Sequence, residues 1–219
     1  MSPVVTSEIV LKAYAAGIFP MAEDENDPCL QWINPRERGI IPLEYFHVGK
    51  RLSRTIRSDH FTIRVDTNFP DVIAGCAATR YPGSKTWINH RIRNLFGELF
   101  TTGYCHTVEV YSGEQLVGGL YGIALGSAFF GESMFHTERD ASKVALAYLV
   151  ARLRLGGFVL LDTQFYSDHL SQFGAIEIPR HIYRKLLNAA IERPADWSAG
   201  QDTLPDGQAV LSALADQAG

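Results

Sequence analysis

The 219-residue chain predicts an α+β fold, a mixed or antiparallel sheet flanked by helices. Three observations point there. The front end places apolar residues at helical spacing. Between His106 and Met134 runs a series of strand-like segments joined by short glycine turns. A strong helical segment then leads into Phe158-Val159-Leu160-Leu161-Asp162, an almost unbroken apolar run of the kind buried on both faces of a sheet.

In order along the chain, Ser7 is a candidate N-cap for a helix carrying Ile9, Val10, Ala13, Tyr14, Ala16 and Ile18, with Gly17 near its end. Phe19-Pro20-Met21 stops it, and residues 22–28 form an acidic loop. Gln31-Trp32-Ile33-Asn34-Pro35 is extended, because the residue before proline avoids helix. Ile40-Ile41-Pro42-Leu43 reads as an edge strand or a turn, residues 47–58 as a helix and residues 61–65 as an alternating strand. Residues 68–78 form a helix, Tyr81-Pro82-Gly83-Ser84 a turn and residues 88–102 a further helix stopped near Gly103.

His106 to Tyr111 alternates, Ser112-Gly113-Glu114 is a hairpin turn, residues 115–124 return, and residues 127–134 come next, beyond Gly126. Asp140 caps a helix from Ala141 to Leu155, closed by Gly156-Gly157. Short helices are expected over residues 167–173 and 180–188. From Pro194 the chain turns polar, which predicts a loosely held tail with one helix near residues 210–215.

Composition excludes several classes. The chain is 46% hydrophobic and 20% charged, enough to bury a real core. Its formal charge of −4 means that a nucleic acid would have to be held by a local patch. Cys29, Cys76 and Cys105 are odd in number, without a CxxC pair or a histidine at ligand spacing. They read as buried apolar residues or free thiols rather than a metal site, in a reducing compartment. No metal and no cofactor are expected. The N-terminus has no leader pattern and no apolar run approaches the ~20 residues of a membrane span, so a cytoplasmic protein with no membrane partner is expected.

Some residues stand out chemically. In Gly131-Glu132-Ser133-Met134-Phe135, strand alternation puts Glu132 and Met134 on one face. Glu132 is either an exposed strand-end carboxylate or one that lines a cleft and receives a cation. Asp162 and Gln164, two apart at the end of the buried strand, share a face; they either cap the next segment of chain or line a cleft. Lys50, Arg51, Arg54 and Arg57 form one stripe on a helix, with Arg36, Arg38, Arg80, Lys85, His90, Arg91 and Arg93 adding charge nearby in sequence. That stripe is either a solvated face or a phosphate-backbone contact. Trp87 is either a core residue or a stacking platform for a base. A phosphate-binding GxxxxGK[ST] loop, a GxSxG elbow and the motif pair of zinc deaminases are all absent.

Taken together, Gly17-Ile18-Phe19-Pro20, Thr86-Trp87-Ile88, Val117-Gly118-Gly119-Leu120-Tyr121-Gly122, Gly131-Glu132-Ser133-Met134-Phe135, Ala141-Ser142-Lys143 and Leu161-Asp162-Thr163-Gln164 resemble the leucyl/phenylalanyl-tRNA–protein transferase family. His169 and the run from Phe173 to Arg180 extend the likeness, which covers residues 7–187. Each motif is weak alone; their order and spacing are specific.

The resemblance implies a small N-terminal domain, placed at residues 1–38, ahead of a GNAT-like acyltransferase domain at residues 39–195, with a polar tail at residues 196–219. It implies transfer of Leu or Phe, and less well Met, from aminoacyl-tRNA to proteins with N-terminal Arg or Lys, in the N-end rule degradation pathway. Asp162 and Gln164 match the family's proposed catalytic pair, and Glu132 a carboxylate near the acceptor's N-terminus. Trp87 matches an aromatic residue at the terminal adenosine. Leu120, Phe129, Ser133, Met134 and Phe135 are the further candidates for the aminoacyl-adenosine pocket, and Lys50, Arg51, Arg54 and Arg57 match a basic cluster used for tRNA. Three features depart from the family. Met21 stands where some members carry a second Trp, Leu120 replaces a common Met, and the N-terminal segment of many members is lacking. An acyl-CoA enzyme of similar fold is the rival reading, but Thr137-Glu138-Arg139-Asp140-Ala141-Ser142 has two carboxylates and no glycine where such enzymes cradle a pyrophosphate.

Overall fold

A computed structural model describes residues 5–78, 85–201 and 203–215. The expected turn at Tyr81-Pro82-Gly83-Ser84 and the expected charge at Arg80 lie outside the described residues. Helix α1 (Ser7–Ala15) is capped one residue earlier than expected, by Thr6, whose extended backbone lets its hydroxyl accept from the Ile9 N–H. Gly17, at φ +76°, turns the chain into strand β1 (Phe19–Met21). The residues expected only to stop the helix therefore pair antiparallel with β2 (Gln31–Ile33), where Pro20 is tolerated because the ribbon has just two strands.

The other strands and helices, in chain order, are β3 (Glu37–Ile41), α2 (Lys50–Arg57), β4 (Thr62–Val65), α3 (Phe69–Ala77), α4 (His90–Thr101), β5 (Cys105–Ser112), β6 (Gln115–Leu125), β7 (Ala128–His136), α5 (Ala141–Leu155), β8 (Leu160–Gln164), α6 (Asp168–Ser171), β9 (Ile176–Pro179), α7 (Arg180–Glu192) and α8 (Gly207–Ala215). Seven strands form one sheet in the order β4-β5-β6-β7-β8-β3-β9. Every pairing is antiparallel except β7 with β8, so the sheet is mixed. Helices α2, α5 and α8 cover one face; α1, α3, α4 and α7 cover the other.

Two expectations fail in the sheet. The segment at Ile40-Ile41 is not an edge or a turn: β3 lies between β8 and β9, and Ile40 and Ile41 bury into opposite cores. Strand β9 was not expected at all. It has four residues, is largely exposed and ends in Pro179, a pattern an edge strand permits because its outer N–H groups need no partner.

The expected loose tail is docked. The Trp197 ring stacks on His106 at 4.3 Å and Phe129 at 5.4 Å, and its N–H donates to Asp66 at 2.8 Å. Arg152 donates to the Trp197 carbonyl, and Arg154 to those of Ala213 and Leu214. Val210 is fully buried. A few apolar anchors in a polar stretch hold it down, and composition averages them away.

The parallel pairing of β7 with β8 runs only from Ala128↔Leu160 to Phe130↔Asp162. Beyond that point β7 continues with β6, and β8 continues with β3. The sheet is therefore open between Gly131–Met134 and Thr163–Gln164.

Candidate active site

The opening is lined by side chains that the local backbone aims with care. In β7, Ser133 pairs with Tyr121 and Gly131 with Gly122, so Glu132 is the extra residue of a β-bulge. The bulge breaks strand alternation. Contrary to the sequence expectation, Glu132 and Met134 do not share a face: Met134 packs with the α5-side core, while Glu132 accepts from the Tyr14 hydroxyl of α1 at 2.7 Å. Burial pushes the Glu132 carboxyl up to about 8, with the charge of Asp162 adding to the shift and the Tyr14 hydrogen bond opposing it.

Gln164 ends β8 in the left-handed region, at φ 59°. A non-glycine residue there costs ~1–2 kcal/mol, so something holds it. The holder is Asp162, whose Oδ1 accepts the Gln164 backbone N–H at 2.7 Å. The Gln164 carboxamide donates to Glu132 Oε1 at 3.0 Å. Asp162 and Gln164 are thus brought together, but through the main chain: the side chain that touches the Gln164 carboxamide is Glu132.

Asp162 is fully buried and heavily engaged. Arg38, 1% exposed, grips it through Nε at 2.9 and 3.0 Å and through Nη2 at 2.6 Å. Tyr183 of α7 donates its hydroxyl to the same carboxylate, and burial followed by the Asp162 charge raises that phenol. The guanidinium also donates to the Gly17 carbonyl at 3.2 Å and lies over the rings of Phe19 and Tyr183. By sequence Arg38 was counted with the basic residues that add charge near the α2 stripe. The structure corrects that: it is buried beneath the opening and ties the segment after α1 to β8.

Two cavities flank this polar group. One, of about 260 Å³, is walled by Leu120, Met134, Leu146, Leu149, Leu161 and Leu170, with Glu132, Ser133, Gln164 and His169 also lining it. The other, of about 230 Å³, is walled by Phe19, Met21, Trp87 and Phe165. Glu132, Thr163, Gln164, Ser167 and Leu170 line both, so the two hollows meet along one wall. Larger hollows of about 420 and 390 Å³, by Trp197 and by Lys50, share none of these residues.

Of the residues expected at the pocket, Trp87, Leu120, Ser133 and Met134 line one cavity or the other, and Phe129 and Phe135 do not. Phe129 is fully buried against Trp197, and Phe135 fills the space over Gly75 on the opposite face. The pocket's α5 wall, Leu146 and Leu149, was missed because nothing in a uniformly apolar helix marks which turn faces a cavity. Tyr14 and Tyr183 were missed likewise; Tyr14 read as one apolar position among several, and Tyr183 lay unmarked inside the short helix expected over residues 180–188.

Lys50, Arg51, Arg54 and Arg57 lie exposed on α2 while Leu52 and Ile56 bury. Arg51 pairs with Asp140 at 2.9 Å, and Arg57 reaches Gln208 at 3.3 Å; Lys50 and Arg54 make no ion pair among the described residues. Asp140 stands at the N-cap of α5 with φ 66°, its carboxylate pulled below the usual range by Arg51 despite the opposing effect of burial. A carboxylate at that helix start is ill suited to cradle a pyrophosphate. Among the described residues no cluster of three metal-ligating side chains occurs and no helix is long and apolar enough to cross a membrane.

Residues 40–188 match the family model described as leucyl/phenylalanyl-tRNA protein transferase, and residues 5–36 match its N-terminal domain. The chain is 58% identical over 214 residues to the leucyl/phenylalanyl-tRNA–protein transferase of Nitrobacter winogradskyi, covering 97% of this chain and 95% of that one. It is 59% identical over 194 residues to the protein of that name from Rhodopseudomonas palustris strain BisB18, covering 89% of this chain and 84% of that one.

Proposed function

The chain belongs to the leucyl/phenylalanyl-tRNA–protein transferase family and is an aminoacyltransferase, and on that premise we propose that it moves Leu or Phe, and less well Met, from aminoacyl-tRNA to the free α-amine of proteins beginning with Arg or Lys. Such tagging serves the N-end rule degradation of those proteins in the cytoplasm.

One observation carries the reading: an apolar cavity and an aromatic-walled cavity share a wall made by Glu132, Thr163 and Gln164. An aminoacyl-adenosine has the same layout, with an apolar side chain at one end, an aromatic base at the other and the reactive ester between. The leucine-lined hollow takes the amino-acid side chain. Trp87 offers a face to the adenine, with Met21 as a non-aromatic wall and Phe19, its ring covered by the Arg38 guanidinium, at the back of the hollow. The ester then lies over the polar wall, next to Gln164. An apolar hollow separates side chains differing by one methylene by only ~1–3 kcal/mol, so rejection of Ile and Val rests on shape.

The ester is already activated, and positioning supplies much of the rate. No covalent enzyme intermediate is needed. Gln164, with its carboxamide N–H₂ turned to Glu132, presents its carbonyl oxygen to the attacking amine. Glu132 gives the acceptor's basic N-terminus a carboxyl partner, and the positive charge of that N-terminus favours the carboxyl's ionised form.

The test is transfer of radiolabelled Leu or Phe from charged tRNA to a peptide beginning with Arg, beside the same peptide N-acetylated. Label on the free-amine peptide alone supports the reading. Charged tRNA that binds without transfer to either peptide refutes it.

The tRNA body is assigned to the α2 stripe. Arg54→Ala and Lys50→Ala, which break no ion pair, are each expected to flatten the log–log dependence of binding on salt by about 0.7–0.9. An unchanged slope in filter-binding titrations would leave the stripe a solvated face.

A further inference from the structure

We propose that Glu132, and not Asp162, takes the proton that the acceptor's α-ammonium must lose before it can attack. This rests on the aminoacyl-transfer reading and assigns a proton acceptor within it.

The first support is occupancy. Asp162 has no exposed surface, and both of its oxygens are taken. Oδ1 accepts Arg38 Nε at 2.9 Å and the Gln164 N–H at 2.7 Å; Oδ2 accepts Arg38 Nη2 at 2.6 Å and the Tyr183 hydroxyl. To receive a proton it would have to release a guanidinium and the bond that holds Gln164. Glu132 is only partly buried and lines both cavities. Its Oε1 accepts from Tyr14 at 2.7 Å and Gln164 at 3.0 Å, and its Oε2 accepts from no described residue. Of the two carboxylates at the opening, one has a free oxygen.

The second support is the surrounding charge. Tyr14 from α1, Cys105 from β5 and Tyr121 from β6 face Glu132, and burial raises all three well above their ordinary values, so they stay neutral. Arg38 from β3 and Asp162 from β8 are locked to one another. Glu132 itself is pushed up by burial to about 8, close to the ~7.7–8.0 of an α-amine. Two groups of matched proton affinity share a proton readily, which is the condition for efficient transfer.

The step balances simply. The ammonium gives one proton to Glu132 Oε2 and becomes a neutral amine. Its nitrogen attacks the ester carbon, the C–N bond forms and the bond from carbon to the ribose 3′ oxygen breaks. The second nitrogen proton ends on that departing oxygen. Glu132 returns its proton to solvent before the next cycle.

The experiment compares wild type, Glu132→Gln and Asp162→Asn in single turnovers with an Arg-initiated peptide at saturating concentration, from about pH 6.5 to about pH 9.5, corrected for ester hydrolysis. Near pH 6.5 only a few per cent of an unassisted amine is neutral, ~30-fold less than above pH 9. Glu132→Gln is therefore expected to be slower by roughly tenfold or more at the acid end and within about twofold of wild type at the alkaline end. Asp162→Asn is expected to lose the same factor throughout. Melting curves and aminoacyl-tRNA binding establish that both variants are folded.

A Glu132→Gln deficit that does not change with pH overturns the proposal. It would mean that the carboxylate only holds the acceptor's guanidinium, which stays charged across this range. An Asp162→Asn deficit that shrinks with pH overturns it too, in favour of Asp162. Wild type that transfers to no acceptor at any pH would refute the underlying reading instead.

Discussion

Arg38→Met is expected to cost the fold about 3–5 kcal/mol, because it strands a fully buried Asp162 carboxylate without its cation. In a chain of this size each kcal/mol is worth ~2–4 °C of Tm, so thermal melts should fall by about 10 °C. Adding Asp162→Asn should restore most of the loss. The Asn carbonyl can still accept from the Gln164 N–H or the Tyr183 hydroxyl, and Met is long enough to lie between the Phe19 and Tyr183 rings. The double variant also separates two roles for Asp162. If the carboxylate only anchors Gln164, aminoacyl transfer should persist at a reduced rate when charge has been removed from both partners. If single and double variants melt alike, the ion pair is not what holds this part of the molecule.

Gln164→Ala is expected to slow transfer by about 10²–10³-fold while leaving the Kd for aminoacyl-tRNA within about threefold, since the aromatic and leucine walls are untouched. Equal losses in rate and affinity would mean that Gln164 merely helps to shape the binding surface. Gln164→Asn is the sharper companion. Asn tolerates the left-handed backbone at this position better than most residues, which offsets the lost bond to Glu132, so the variant should fold with about wild-type stability. Its carboxamide is one methylene too short to reach Glu132 from the same backbone. A stable but slow Asn variant would show that reach, rather than polarity alone, is the property required.

Much of the architecture was legible in the sequence because it rests on period and punctuation. The β5–β6 hairpin, α5 with its glycine stop and the apolar β8 all come from alternation, helical spacing and Gly113 or Gly156 at the breaks. The central position of β3 was not legible. A five-residue strand gives too little pattern to distinguish an edge from an interior place, and its outer neighbour β9 is largely exposed. At the site, Glu132, Asp162 and Gln164 stood out as polar residues in apolar company. What local pattern could not supply was their pairing. Asp162 meets Arg38 across 124 positions of sequence and Glu132 meets Tyr14 across 118, and no short-range rule reaches so far. Nor could alternation foresee the bulge that turned Glu132 away from Met134.

That bulge also sets how the strand can change length. Deleting one residue at Glu132 would leave Gly131 and Ser133 as ladder neighbours opposite Gly122 and Tyr121, a regular pairing that the sheet would accept without loss of order. Such a protein would fold, melt and pack much as its parent does, yet lack the carboxylate that lines both cavities. Inserting one residue beside Glu132 would instead lengthen the loop-out and leave the pairing on either side intact. In this strand, therefore, a gap silences chemistry without disturbing architecture, and survival of the fold says nothing about survival of the activity.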